Sequence, residues 1–403
     1  MPMISVTEAQ TLVLQYARPL KPEIMPLTPA ALGLVLAENI PSDLSMPPFN
    51  QALMDGYAVR SADLPEGAGI LTVIEEVTAG KTPHINLEAG QATRIMTGAP
   101  IPPGADAVVM VEKTSILEGN RINLEDRSLK PGQNILNKGR QMREGDIVLS
   151  SGAILRPQEF GLLATVGRTA VQIHSLPQAA IISTGDELVE AVHRPGPGQI
   201  RNGNGPMLMG LIARAGGVSR YLGIARDNLT SLRSLITEGL QSDLLILSGG
   251  VSAGKMDLVP QVLQELGVKP LFHKVTMKPG KPVFFGTQGN TLVFGLPGNP
   301  VSVAACFELF VRPAVRKLRG LAEPGPIMVQ ATLEDDFLYQ SDRPTYHPAW
   351  LEESSRGWQA RIAPWFGSAD LRALAKANAF IVLPAGEHLH RAGQTYSVMR
   401  TEY

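Results

Sequence analysis

The sequence predicts a multidomain α/β protein, with a three-layer α/β domain built on a parallel-rich sheet and a separate β-rich region. Three observations predict it. Residues 177–320 alternate continuous apolar strands with helix-length segments, the pattern of a sheet covered on both faces. Residues 42–150 carry short apolar runs (Ile70–Val73, Ala107–Val111, Ile147–Leu149) between Gly and Pro clusters, with no helical periodicity. The tail, 328–403, alternates in short runs (Phe380–Leu383, Tyr396–Met399) and reads as a small β domain.

Taken in order, residues 5–17 form an amphipathic helix. Ser5 and Glu8 make a capping-box pair, and Ala9, Leu12, Val13 and Tyr16 recur at helical spacing. A second helix is expected from Thr28, with Pro29 in its first turn, to about Glu38. The β-rich region follows, and residues 150–176 return to helix, with Pro157 near its start. In the α/β region the expected strands are Ala179–Ser183, Val218–Ala225, Leu244–Leu247, Leu271–Val275 and Leu292–Phe294. The expected helices are 204–215, 229–240, 257–266 and 299–318. The stretch 322–327 (AEPGPI) reads as a linker.

The chain has 403 residues, enough for two to four domains at roughly 100–200 residues each. Lys and Arg total 36 against 37 Asp and Glu, so no global basic field recruits nucleic acid or an anionic membrane. Any anion has to be held by local groups. The single cysteine, Cys306, excludes a disulfide framework and a Cys-rich metal centre. It sits in the apolar run Val301–Phe310, where a buried, inert thiol is expected. No basic stretch precedes an apolar core at the N-terminus, and no apolar run reaches the ~18 residues of a membrane span. A cytoplasmic protein without a membrane segment is expected.

In an open α/β sheet, ligands bind beyond the carboxyl ends of the strands, so the residues following each strand are informative. The first strand runs into Ser183-Thr184-Gly185-Asp186-Glu187 and the second into Arg226-Asp227. The third runs into Ser248-Gly249-Gly250-Val251-Ser252, with Asp257 close behind, and the fifth into Leu296-Pro297-Gly298-Asn299-Pro300. A Gly-Gly turn before a helix offers backbone N–H groups to an anion, although a tight strand–helix turn favours the same residues. Lys278-Pro279-Gly280-Lys281 fits a type II turn that holds two ammonium groups close together; Lys274 precedes it on the strand. Such a pair seats a dianion such as phosphate or molybdate, unless the lysines simply point apart into solvent. Two loops of the β-rich region, Met54–Ala58 with Asp55 and Arg94–Pro100 with Thr97, are explained by a structural turn as well as by function.

The segments DGYA (55–58), RIMTGAP (94–100), STGDEL (183–188), SGGVSAG (248–254), KPGKP (278–282) and GLPGNPVS (295–302) occur in this order. Together they resemble the molybdopterin molybdenumtransferase family, MoeA in bacteria and the E domain of gephyrin in animals, over nearly the whole chain. The resemblance implies a homodimer with four regions per chain. These are a discontinuous N-terminal helical domain (1–41 and 147–176), a β-rich insert (42–146), an α/β molybdopterin-binding domain (177–323) and a C-terminal β barrel (324–403). It implies that adenylylated molybdopterin and molybdate, the substrates, give molybdenum cofactor with release of AMP, with Mg2+ as cofactor. It also implies contact with the preceding adenylyltransferase and with apo-molybdoenzymes as partners.

Residue by residue, the resemblance makes Glu187, Asp227 and Asp257 the acidic set near the pyrophosphate, with Asp227 and Asp257 as metal ligands. Thr184, Gly185, Asp186, Asn204, Ser248, Gly249, Gly250, Ser252, Pro297, Gly298 and Asn299 become binders of the nucleotide or pterin phosphate. Lys278, Lys281, Ser302, Arg343 and Ser368 form the molybdate side, Lys274 joins Lys278 and Lys281 among the catalytic residues, and Asp55 and Thr97 reach the cleft of a partner subunit. Two positions depart from the family pattern: Gln141 stands where an Asp is usual, with Arg140 beside it, and Pro348 stands where an Arg is usual. Arg201 and Asn202, where Tyr-Asp is common, read as tolerated variation. Two other readings remain open. One is the adenylyltransferase that shares the α/β fold, against which the chain length and terminal β domain argue. The other is a ligand-binding or scaffold paralogue with weak turnover.

Overall fold

The computed structural model describes residues 2–251 and 258–401, except for the Glu387 side chain. The chain divides into two compact units. One comprises Met1–Glu38, Ser151–Arg156 and Ala170–Tyr403; the other comprises Asn39–Ser150 and Pro157–Thr169.

The first unit centres on a six-stranded sheet in the order Val218–Ala225, Gln178–Thr184, Leu244–Ser248, Thr291–Leu296, Phe284–Gln288, Lys269–Phe272. The first four strands are parallel. Alternation within them decides the layers. Ala179, Ile181, Leu244, Ile246, Leu292 and Phe294 face one core, with Leu208, Ile212 and the helical run from Pro300. Ala180, Ile182, Leu245, Leu247 and Val293 face the other, with Leu232, Ile236, Val259 and Val262. Both faces are covered, and for that reason the strands read as unbroken apolar runs. The helix Val6–Tyr16 carries the expected capping box and buries Ala9 and Val13 against the first core. The helices Asn204–Ala215 and Leu229–Gly239 lie where periodicity put them, and the 300–318 run is helical throughout, with a π segment at Phe307–Val311.

Three expectations fail in this unit. The helix from Thr28 is a single 3-10 turn, Pro29–Ala31. Gly33 then adopts φ +79, and Val35 and Leu36 return as bridges to Ile154 and Ile173. The local start signal is real, but tertiary pairing takes over after one turn. The segment expected to stay helical to residue 176 contains the strand Ala170–His174, which pairs antiparallel with Pro22–Pro26. The strand expected at Leu271–Val275 is Lys269–Phe272, and it is antiparallel. Between it and the parallel strands lies Phe284–Gln288, which forms a hairpin with Thr291–Leu296 across Gly289-Asn290. That Gly-Asn pair was the available hairpin signal.

The same unit ends in a closed barrel of Met328–Leu333, Gly357–Ile362, Thr345–Ser354, Ala379–Leu383 and Thr395–Arg400. Its core is Ala331, Leu333, Ala349, Leu351, Ile381 and Val398. A two-stranded antiparallel sheet of Phe337–Ser341 and Gly386–His390 accompanies it.

The second unit is built on a six-stranded sheet. Its strands, in spatial order, are Ala107–Met110, Gly56–Val59, Gln91–Ile95, Ala68–Val77, Arg121–Glu125 and Thr114–Leu117. Tyr57, Val59, Leu71, Val109 and Ile122 fill one face, and Ala58, Ile95 and Val108 the other. The helix Pro157–Thr165 belongs to this unit. No helix among the described residues is long and apolar enough to cross a membrane.

Candidate functional site

The four parallel strands deliver their carboxyl ends to one edge of the sheet, and a cavity of about 1010 Å³ lies there. Its lining includes Thr184, Gly185, Asp186, Glu187, Asn204, Asp227, Ser248, Gly249, Gly250, Pro297, Gly298 and Asn299. These motif residues come from four separate strand ends, and the structure brings them together. A larger cleft, about 1270 Å³, lies at Gln178, Val218 and Asp243, toward the amino ends of the same strands. It gathers none of the motif residues, so the carboxyl edge is the candidate site.

At the first two strand ends, Asp186 and Asp227 hold each other. The Asp186 N–H donates to Asp227 Oδ2 at 3.3 Å, and the Asp227 N–H donates to Asp186 Oδ1 at 3.1 Å. Arg226 steadies this loop by donating to the carbonyls of Asp186 and Leu188, both at 3.1 Å. The exchange leaves Asp186 Oδ2 and Asp227 Oδ1 without partners among the described residues. The Glu187 carboxylate folds back into the space beside Gly185, which a side chain at 185 would need.

At the third strand end, Gly249 and Gly250 have φ +96 and +63. A Cβ on Gly249 would stand 2.6 Å from the Thr184 carbonyl oxygen, and one on Gly250 would stand 2.8 Å from Thr184 Oγ1. Glycine is therefore required twice, by backbone angle and by space. The expectation of two open N–H groups holds for one: the Gly249 N–H donates to the Leu296 carbonyl, and Gly250 has no partner among the described residues. Asn204 Nδ2 donates to Ser248 Oγ at 2.9 Å and to the Gly298 carbonyl at 2.6 Å, tying the third strand end to the fourth. Asn299 Nδ2 reaches Ser368 Oγ at 2.8 Å, which brings the distant 367–371 loop to the same edge. Ser302, in the first turn of the following helix, is buried. Ser252 and Asp257 lie outside the described residues.

The lysine segment departs from its expected turn. The Lys278 carbonyl, which would close a type II turn by accepting from Lys281, accepts instead from the Tyr346 N–H at 2.7 Å, and the Lys278–Pro279 peptide is cis. Lys278 N–H donates to the Pro344 carbonyl at 2.9 Å, so this residue is bound on both sides to the barrel strand after Arg343. Lys281 is exposed. Lys274 lies beyond the strand, its carbonyl held by the Ile4 N–H at 3.1 Å. Arg343 Nε pairs with Asp342 at 3.0 Å. Cys306 is fully buried, and burial pushes its thiol well above the ordinary range, as an inert core residue requires.

Two residues were undervalued by sequence reasoning. Asn202 is buried and acts as a hub: its Oδ1 accepts from Ser183 Oγ and from the Gly205 N–H, and its Nδ2 donates to Tyr221 Oη at 2.7 Å. It fixes the start of the helix that carries Asn204, so the position has a structural role. Pro282 lines the cavity directly after the lysine segment. Neither residue belongs to a chemical type that draws attention in a sequence.

In the other unit, Asp55 Oδ1 accepts from the Thr97 N–H at 2.7 Å and from Thr97 Oγ1 at 2.8 Å. The backbone donor first, then the hydroxyl, lowers the Asp55 pKa, so this exposed carboxylate is ionised near neutral pH. Gln141 lies in the loop 137–146 around a cavity of about 390 Å³, its N–H donating to the Met46 carbonyl. Pro348 is buried in a barrel strand opposite Phe380.

Across the sheet edge the chemistry is graded. Among the described residues, acids follow the first two strands, hydroxyls, amides and glycines follow the next two, and the lysine segment joins the last two. This makes the edge a candidate ligand-binding site of an α/β protein, with an acidic end and a basic end. Comparison with known proteins carries the assignment further. Residues 4–167 match the MoeA N-terminal region (domain I and II), 180–317 a probable molybdopterin binding domain, and 330–400 the MoeA C-terminal region (domain IV). A molybdopterin molybdenumtransferase of Staphylococcus epidermidis is 36% identical over 377 residues, 92% of this chain and 90% of that one. One of Staphylococcus aureus is 34% identical over 382 residues, with the same shares covered. The crystal structure of a molybdopterin biosynthesis MoeA protein from Pyrococcus horikoshii is 32% identical, with a TM-score of 0.84, covering 99% of this chain and 100% of that one. The chain belongs to the molybdopterin molybdenumtransferase family. It is a transferase of molybdenum cofactor biosynthesis, acting in molybdenum insertion.

Proposed function

We propose that this chain inserts molybdate into adenylylated molybdopterin and releases AMP, and that the graded sheet edge binds the substrates in that order. The carrying observation is the separation of the unpartnered oxygens of Asp186 and Asp227 from the lysine segment by the polar third and fourth strand ends. Neighbouring strands lie about 4.8 Å apart, so the acidic and basic ends stand roughly 15–20 Å apart. That span suits an extended ligand with a phosphoanhydride at one end and a site for an oxyanion at the other.

In this reading Thr184, Gly185, Asn204, Ser248, Gly249, Gly250, Pro297, Gly298 and Asn299 hold the substrate's phosphate and pterin. The Gly250 N–H donates to a phosphate oxygen, and Asn204 orients Ser248. Lys278, Lys281, Arg343 and Ser368 collect molybdate by charge and hydrogen bonding, and close placement replaces a slow encounter. Among the described residues no three His, Cys, Asp or Glu side chains cluster as a metal site. The donor set still fits Mg2+, which commonly takes one or two carboxylates and completes its shell with substrate phosphates and water. Asp227 and Asp186 would hold it, with Asp257 as a further ligand. When bound it supplies charge neutralisation at the cleaved phosphoanhydride.

The homodimer remains part of the proposal, with Asp55 and Thr97 serving a partner's cleft. So do a cytoplasmic setting, receipt of substrate from the preceding adenylyltransferase and delivery to apo-molybdoenzymes. The test is mass spectrometry of AMP formed from adenylylated molybdopterin with and without molybdate. Molybdate-dependent AMP release is expected. AMP release that ignores molybdate, or none from a well-folded protein, overturns the reading.

A further inference from the structure

We propose that the C-terminal barrel region provides an aromatic seat, Tyr339 backed by His347, that positions the Lys278 ammonium for the incoming oxyanion. Lys278 Nζ stands over the Tyr339 ring at 5.2 Å from its centroid, within the ~6 Å range of a cation–π contact. Among the described residues no carboxylate pairs with it. Its backbone is fixed from both sides by Pro344 and Tyr346, so the side chain leaves a rigid base. Tyr339 is held in turn. It stacks on Phe337 at 5.6 Å and meets the edge of His347 at 5.7 Å, while His347 packs on Trp365 at 4.6 Å.

His347 completes the seat by staying neutral. Its Nδ1 lies 2.9 Å from the Pro348 carbonyl, which can only accept, so Nδ1 carries the proton. Its Nε2 is buried without a hydrogen-bond partner among the described residues. Burial, against the bond to Pro348 and with the nearby Lys278 charge, holds its pKa down at about 4. An imidazolium there would repel the ammonium it is meant to receive.

The choice of a π face has a chemical reason. A carboxylate partner would fix Lys278 as well, but it would neutralise the ammonium and compete with the oxyanion for it. An aromatic ring restrains the cation and leaves its charge available. Tyr339 is thus a positioning residue acting through Lys278, and the inference rests on the reading of Lys278 as an oxyanion ligand.

The test measures KM and kcat for molybdate, and molybdate binding by calorimetry, on the full chain. Cation–π contacts of this kind correspond to roughly two- to thirtyfold in affinity. Tyr339→Leu should raise KM and Kd for molybdate by about tenfold with kcat little changed, because the contact is made by the bound cation before and during reaction. Tyr339→Phe keeps the ring face and should restore wild-type values, which separates the seat from a merely structural role. In a Lys278→Met background, Tyr339→Leu should add nothing. If Lys278→Met weakens molybdate binding and Tyr339→Leu does not, the seat is refuted and the lysine's role stands. If Lys278→Met leaves binding unchanged, the underlying reading fails and the seat with it. Equal losses in Tyr339→Phe and Tyr339→Leu also refute it.

Discussion

Replacing Gly249 by alanine should disable the site through a collision that can be read directly from the structure. The added Cβ would stand 2.6 Å from the Thr184 carbonyl oxygen and 2.9 Å from Thr184 Oγ1. Carbon–oxygen contacts settle near 3.3–3.6 Å even when attractive, so the atoms must part by roughly 0.7–1 Å. Thr184 cannot give way easily, because it ends a central strand paired to Ala225 and its neighbour Ser183 pairs to Ser248. The Ser248–Gly250 turn moves instead. An L residue at φ +96 adds about 1–2 kcal/mol, and the overpacking about 1–3 kcal/mol more. A displacement near 1 Å at a substrate-positioning turn corresponds to about a hundredfold loss of kcat/KM. Gly267→Ala is the control: it also has positive φ, +81, but nothing lies within 4 Å of its Cβ. It should cost only the backbone share, about 1 kcal/mol, and keep full turnover. The assays are thermal unfolding and molybdate-dependent AMP release. A Gly249→Ala protein that melts with the Gly267→Ala control and turns over normally would refute the reasoning.

Asp227→Ala should fold normally, since the side chain is exposed, and lose about a hundredfold or more in AMP release. Mixed with inactive Asp55→Ala, it should regain part of the activity through mixed dimers; absence of rescue after verified subunit exchange would argue against a shared site. Gln141→Asp should change AMP release by less than about threefold if Asp55 or Glu144 supplies the missing carboxylate, whereas a gain of about tenfold or more in single-turnover assays would show that the amide limits the rate. Asp126 is buried, and desolvation raises its pKa, but Lys113, Ser128 and Gln133 outweigh this and hold it at about 2, below its ordinary value of 3.8. Its contribution, about 2 kcal/mol, is fully present above pH 3.8 and lost as pH falls through about 2, so Asp126→Asn should flatten acid unfolding by circular dichroism in that window.

The α/β half was legible because its strands are buried on both faces, and burial on both faces leaves unbroken apolar runs such as Leu244–Leu247. The strand-end motifs were legible for a related reason. Once four strands are parallel, their carboxyl ends share an edge whatever the tertiary detail. The illegible parts depended on pairing partners far along the chain. Nothing local marks Ala170–His174 as the partner of Pro22–Pro26, and the helix signal at Thr28-Pro29 yields after one turn to bridges with Ile154 and Ile173. The Lys278–Lys281 turn failed likewise, because the Lys278 carbonyl prefers Tyr346, 68 positions away by sequence number. The structural role of Asn202 was illegible because it lies in three hydrogen bonds, two of them buried, which are properties of the fold.

The near-neutral total charge conceals a separation that matters for chemistry. Positive and negative groups that bind one ligand must not bind each other first. Were Lys278 within about 4 Å of Asp186 or Asp227, the pair would interact by about 1 kcal/mol in water and several times that near a protein surface, and both would be lost to the substrate. At roughly 15–20 Å the same two charges interact by less than about 0.3 kcal/mol in water, below thermal energy, and salt reduces this further. The sheet enforces the distance, because the third and fourth strands stand between, and the described residues that follow them, 249–251 and 297–300, carry no charged side chain. The ammonium end is then tied to the barrel through Pro344 and Tyr346, while the acidic end closes on itself through the Asp186–Asp227 exchange. Each end is therefore organised by its own neighbours, and in the proposed reading a ligand long enough to reach both is the element that couples them.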